Sequence, residues 1–67
     1  MRHHAVRITH RGYYRLASFC TRAEAIAYVI QANHRSGAVI YRDGTTGARY
    51  SLHECKTLAQ QHNLTAA

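Results

Sequence analysis

Four arginines and two tyrosines fall where alternation along short strands would put them on one surface: Arg7, Arg11, Tyr13, Arg15, Tyr41 and Arg49. This combination binds anions. Guanidinium groups grip phosphates or carboxylates in forked hydrogen bonds, and tyrosine rings offer flat faces for stacking bases or packing into a protein groove. The six residues are therefore the expected partner-binding set. A solvated sheet face whose rings shield the backbone is the plainer account of the same residues.

Other chemistry finds less support in the spacing. RNA cleavage needs an acid and a base near neutral pH with cations for the transition state, which His, Arg and Tyr can supply. Yet His10, His34, His53 and His62 are scattered, and no spacing forces two histidines together. No catalytic residue is assigned, and a small ribonuclease toxin stands as a distant alternative. Metal binding lacks the usual doublets. There is no C-x-x-C or H-x-x-x-H, and His53 and Cys55, two apart on a helix, point to different sides. No metal and no cofactor is expected. Lys56 to Leu64 looks like the opening of a helix-turn-helix, but no recognition helix follows within the 67 residues.

The balance of charge agrees with anion binding. Nine Lys and Arg face three Asp and Glu, for a formal charge of +6. Such a field attracts nucleic acid or acidic protein surfaces. Eight of the nine cations are arginine, an excess that a GC-rich coding sequence would also produce. The stretch Met1-Arg2-His3-His4 leads into no apolar leader segment, and no apolar run approaches the ~18 residues of a spanning helix. A cytoplasmic protein without membrane contact follows, with Cys20 and Cys55 as reduced thiols and apolar fillers.

The elements that must hold these residues can be read along the chain. Val6 and Ile8 alternate with Arg7 and Thr9 as in a half-buried strand. Arg11-Gly12 supplies a turn, and Tyr13 to Ser18 returns as a second strand. The alternation predicts Val6, Ile8, Tyr14, Leu16, Tyr50 and Leu52 toward the helices. Arg7, Thr9, Arg11, Tyr13, Arg15 and Arg49 are then outward. Ala38 to Arg42 is ambiguous, with Tyr41 and Val39 outward and Ile40 inward in the arrangement that completes the binding face. Thr21-Arg22-Ala23-Glu24 is a capping box, opening a helix in which Ala23, Ile26, Ala27, Ile30 and Asn33 or His34 recur at helical spacing and Gly37 is a left-handed cap. Asp43 to Gly47 is a turn, and Ala48 to Ser51 or Leu52 a returning strand. Ser51-Leu52-His53-Glu54 is a second capping box, starting a helix that frays near Asn63.

The order strand, strand, helix, strand, strand, helix predicts an α+β domain. It would have a four-stranded, mainly antiparallel sheet with both helices on one face. Residues 1–67 form one domain, with 1–4 and 64–67 as loose ends. A chain this small buries only about 60% of its unfolded surface, so homodimerisation is a live expectation.

Gly12-Tyr13-Tyr14-Arg15, then Phe19-Cys20-Thr21-Arg22-Ala23-Glu24-Ala25-Ile26, Gly37 and Val39 to Gly44 together resemble a family of small bacterial strand-strand-helix-hairpin domains. The resemblance covers about half the chain and implies the layout, with no activity to transfer.

Two kinds of function fit: a nucleic-acid-binding accessory factor, or a small inhibitor or modulator of phage or plasmid type. The second would engage a host protein or nucleoprotein complex, as an anti-CRISPR-like counter-defence protein does.

Overall fold

The computed structural model describes residues 2–62. It contains a four-stranded antiparallel sheet and two helices. Strand β1 (His3–Thr9) turns at His10 and Arg11 into β2 (Gly12–Phe19), and α1 (Arg22–Arg35) follows. Strand β3 (Val39–Asp43) turns into the two-residue β4 (Arg49–Tyr50), which leads to α2 (Leu52–His62). The strand order is β2-β1-β3-β4, so β1 and β3 are central. His3 and His4, expected in a loose end, are strand residues paired with Phe19 and Ser18. The expected loose end at 64–67 and the fraying near Asn63 lie outside the described residues.

Local signals set the helix starts. The Thr21 hydroxyl accepts from the Glu24 amide at 3.3 Å and donates to the Glu24 carboxylate at 2.9 Å. At α2 the capping box is fully reciprocal. Glu54 N–H donates to Ser51 Oγ at 3.3 Å, and Ser51 N–H donates to Glu54 Oε1 at 3.1 Å. Helix α1 ends where Gly37 turns left-handed at φ 65°. Asn33, on the last turns of α1, receives the Val39 amide and donates to the carbonyls of Val29 and Val39. That side chain fixes the start of β3 against the helix end.

The second hairpin closes on Asp43, whose Oδ1 accepts from the amides of Thr45 and Thr46. Gly44 donates to the Arg2 carbonyl at 2.6 Å. A Cβ on Gly44 would stand 2.6 Å from that oxygen and 2.9 Å from His4 Nε2, so only glycine fits.

Register divides the side chains between two faces, because directly paired residues point the same way. Ala5 pairs with Ala17 and Tyr41, and Tyr41 pairs with Tyr50. Ala5, Val39 and Tyr41 share one buried cluster with Ala25, Ile26 and Val29 of α1 and Cys55 and Ala59 of α2. This is the core face of the sheet. The buried stripe of α1 is rotated from the expected one, with Ala25 and Val29 inside. Methyl-sized Ala5 beside the large Tyr41 ring is the alternation of small and large that close packing demands.

A β-bulge lies on β2 opposite the Ala5/Val6 step. Ala5 pairs with Ala17 while Val6 pairs with Arg15, which leaves Leu16 as the extra residue. The bulge shifts the alternation of β2 by one. Ala17 and Phe19 join the core face, while Arg15 and Tyr13 remain on the other face with Val6 and Ile8.

Candidate functional site

The second face carries three rows of paired residues. Arg49, Arg42, His4 and Ser18 run across all four strands, Ile40, Val6 and Arg15 form the next row, and Ile8 and Tyr13 the third. Strand spacing of ~4.8 Å brings the stems of a row close together. The long side chains then arch over the apolar middle, where Val6 is only 3% exposed. Arg49 reaches furthest. Its Nη2 donates to the Tyr13 hydroxyl at 3.2 Å, and its guanidinium carbon lies 4.7 Å from the centre of the Tyr13 ring. Residues from opposite edge strands thus meet above the face. Beneath them is a cleft of about 220 Å³ lined by His4, Val6, Tyr13, Tyr14, Arg15 and Arg42.

No side-chain carboxylate is free to neutralise this face. The chain has three, and each is engaged elsewhere. Glu24 and Glu54 sit in their capping boxes. Asp43 is buried, holds two turn amides, and lies 3.6 Å from Arg22. That pair is the only salt bridge among the described residues. Arg15, Arg42 and Arg49 therefore share this face without a counter-charge. Arg42 Nε is buried with no hydrogen-bond partner.

The electrostatic effect shows at His4. Its Nδ1 shares a 2.8 Å hydrogen bond with Ser18 Oγ. Burial first, then the charges of Arg15 and Arg42, hold its pKa below the ordinary imidazole value. The two guanidiniums that disfavour a proton on this ring would favour an anion beside it.

The expected site residues divide between the faces. Tyr13, Arg15 and Arg49 stand together on the second face. Arg11 lies in the exposed β1–β2 turn, its amide donating to Thr9 Oγ1. Two expectations are corrected. Arg7 pairs with Val39 and Tyr14 on the core side and donates to Ser36 Oγ at 2.6 Å and to the Gly37 carbonyl at 3.3 Å. It serves as a cationic cap on the C-terminus of α1. Tyr41 is fully buried, stacked between His3 at 5.9 Å and Tyr50 at 5.3 Å, with its hydroxyl sharing a 2.7 Å hydrogen bond with His3 Nδ1. Burial raises its pKa. Val39 is buried on the core side too, while Ile40, Val6 and Ile8 lie on the second face, the reverse of the alternation read from the sequence. Tyr50 and Leu16 do pack against the core.

His4, Arg42 and Ser18 belong to the site and were not foreseen. Their signal was present in β3: burying Tyr41 instead of Ile40 would have sent Arg42 outward beside Arg49.

Among the described residues this face brings no two histidines together. His3 and His4 are neighbours on a strand and project to opposite faces. Among the described residues no three His, Cys, Asp or Glu side chains cluster to hold a metal ion. No described helix is long and apolar enough to cross a membrane. No family model matches the chain, and neither does any curated protein or solved structure.

Proposed function

We propose that this protein is a non-enzymatic binding module whose second sheet face takes a phosphate polyanion, namely nucleic acid, free or exposed on a nucleoprotein. One observation carries the reading. Arg15, Arg42 and Arg49 converge on one face while every side-chain carboxylate of the chain is spent in a cap or a turn. Three cations held together without a counter-ion repel one another, and a partner bearing regularly spaced negative charge relieves that cost. An inhibitor of phage or plasmid type would use the same face to cover the nucleic acid of a host complex.

Anisotropy of labelled DNA and RNA over a salt series tests the proposal. Affinity should fall linearly in log salt, with a slope near −2 if three phosphates are neutralised at about 0.7 each on a single strand. Arg15→Gln, Arg42→Gln and Arg49→Gln should each flatten the slope. Binding with no salt dependence, or none at low salt, would contradict it.

A second reading rests on a different observation. Ile8 and Tyr13, paired across the β1–β2 hairpin on the second face, are 40% and 52% exposed, an apolar and aromatic patch of the kind that anchors protein partners. An acidic protein would then be the ligand, and Ile8→Ala would weaken its binding while leaving nucleic-acid affinity unchanged.

A further inference from the structure

Building on the polyanion reading, we infer that the ligand of the second face is an unpaired nucleic acid strand, with a base stacked on Tyr13 and an adjacent phosphate seated against Arg15 and Arg42. The Tyr13 ring already holds a planar cation, the Arg49 guanidinium, at 4.7 Å from its centre. The ring is half exposed, so a planar group can reach it from solvent. A nucleobase is the planar group that comes joined to a phosphate. In a duplex both faces of each base are occupied by its neighbours, so only an unpaired base can use the ring.

The phosphate position follows from the floor of the cleft. Arg15 and Arg42 both line the cleft and no carboxylate does, so an anion that enters it meets two guanidinium groups. The cleft, about 220 Å³ and walled by Tyr13, Tyr14, Arg15 and His4, admits a phosphate or a base and excludes the body of a double helix. A duplex could meet the rim guanidiniums of Arg15 and Arg49 but would not enter the cleft that Arg42 lines. Arg49 completes the arrangement as a movable clasp. It gives up the Tyr13 ring to the base and keeps its charge for the next phosphate.

The test is anisotropy at fixed salt with a labelled oligo(dT) of about 12 nucleotides, within the usual site size of single-strand binders, against a blunt-ended duplex of matched charge. The oligo(dT) should bind at least about tenfold tighter. Tyr13→Ala should lose about tenfold or more for oligo(dT) and little for the duplex. Tyr13→Phe keeps the ring and loses only the hydroxyl that Arg49 holds, so it should bind oligo(dT) as well as the parent chain. Equal or tighter binding of the duplex, or indifference to Tyr13→Ala while Arg15→Gln still weakens binding, would overturn the single-strand assignment and leave the polyanion reading standing. No binding of either probe at low salt would overturn both.

Discussion

Replacing Arg42 by methionine should make the fold more stable and the binding weaker. Methionine keeps an unbranched stem of similar length to cover the apolar middle of the face, and it removes the guanidinium. Two penalties go with that group. Arg42 Nε is buried without a partner, and an unsatisfied buried donor costs on the order of 1–3 kcal/mol. Arg42 is also paired directly across the ladder with Arg49, and like charges so placed cost roughly 0.2–1 kcal/mol. The remaining guanidinium nitrogens of a half-buried arginine retain contact with water, so the low end applies and the gain should be about 1 kcal/mol. In a domain of this size that raises Tm by roughly 4–8 °C. Thermal melts followed by circular dichroism read the shift. Anisotropy at varied salt should show, in parallel, a slope reduced by about 0.7. A lowered Tm would refute the reasoning, since it would mean that the Arg42 guanidinium holds the sheet together and is not an unmet demand for an anion.

Arg7→Ala should cost about 1 kcal/mol by removing the bonds to Ser36 and Gly37, with the salt dependence of binding unchanged; a flattened slope would return Arg7 to the binding face. Because His4 has a lowered pKa in the fold, the unfolded chain takes up the proton first as pH falls below ~6.5. The stability that the neutral ring contributes is therefore full above that pH and declines below it. His4→Gln should flatten this part of the pH–stability curve relative to the parent chain, and an unaltered curve would count against it. Both cysteines are free; Cys20 is exposed and Cys55 is buried, its thiol pushed up to about 11 by desolvation. Iodoacetamide near pH 8 should label Cys20 in the native protein and Cys55 only after unfolding, as mass spectrometry of the two peptides would show. Similar native rates would mean that α2 does not seal the core.

The elements were legible because their signals are local. The capping boxes at Thr21 and Ser51, the glycine after Ser36 and the turn at Asp43 to Gly47 each act within four or five residues, and they fix the α+β class and the element order. The faces were not legible, because they depend on contacts between distant residues. In Ala5-Val6-Arg7-Ile8 the larger apolar side chains suggest Val6 as the inward residue, but α1 packs on β1 from the side of Ala5, where bulk has no room. Val6 is buried from the opposite side, so β1, a central strand, is apolar on both faces at this point. In Val39-Ile40-Tyr41-Arg42 either parity alternates equally well, and the choice falls to the stacking of Tyr41 with His3 and Tyr50. The bulge at Leu16 leaves no mark in the sequence of β2 alone, since it exists only in the pairing with β1. The Arg/Tyr face was therefore anticipated in kind, with Tyr13, Arg15 and Arg49 in place. Its centre, Arg42 with His4, came into view only once the strands were in register.

The central claim is that the second sheet face, and no other basic surface, receives the polyanion. The most direct measurement is an NMR titration of the arginine Nε–Hε resonances with oligo(dT) at moderate salt. The resonances of Arg15, Arg42 and Arg49 should shift in a saturable way, that of Arg42 most, while those of Arg7 and Arg35 stay in place. Shifts concentrated at Arg7 and Arg35, or spread evenly over all the arginines, would contradict it.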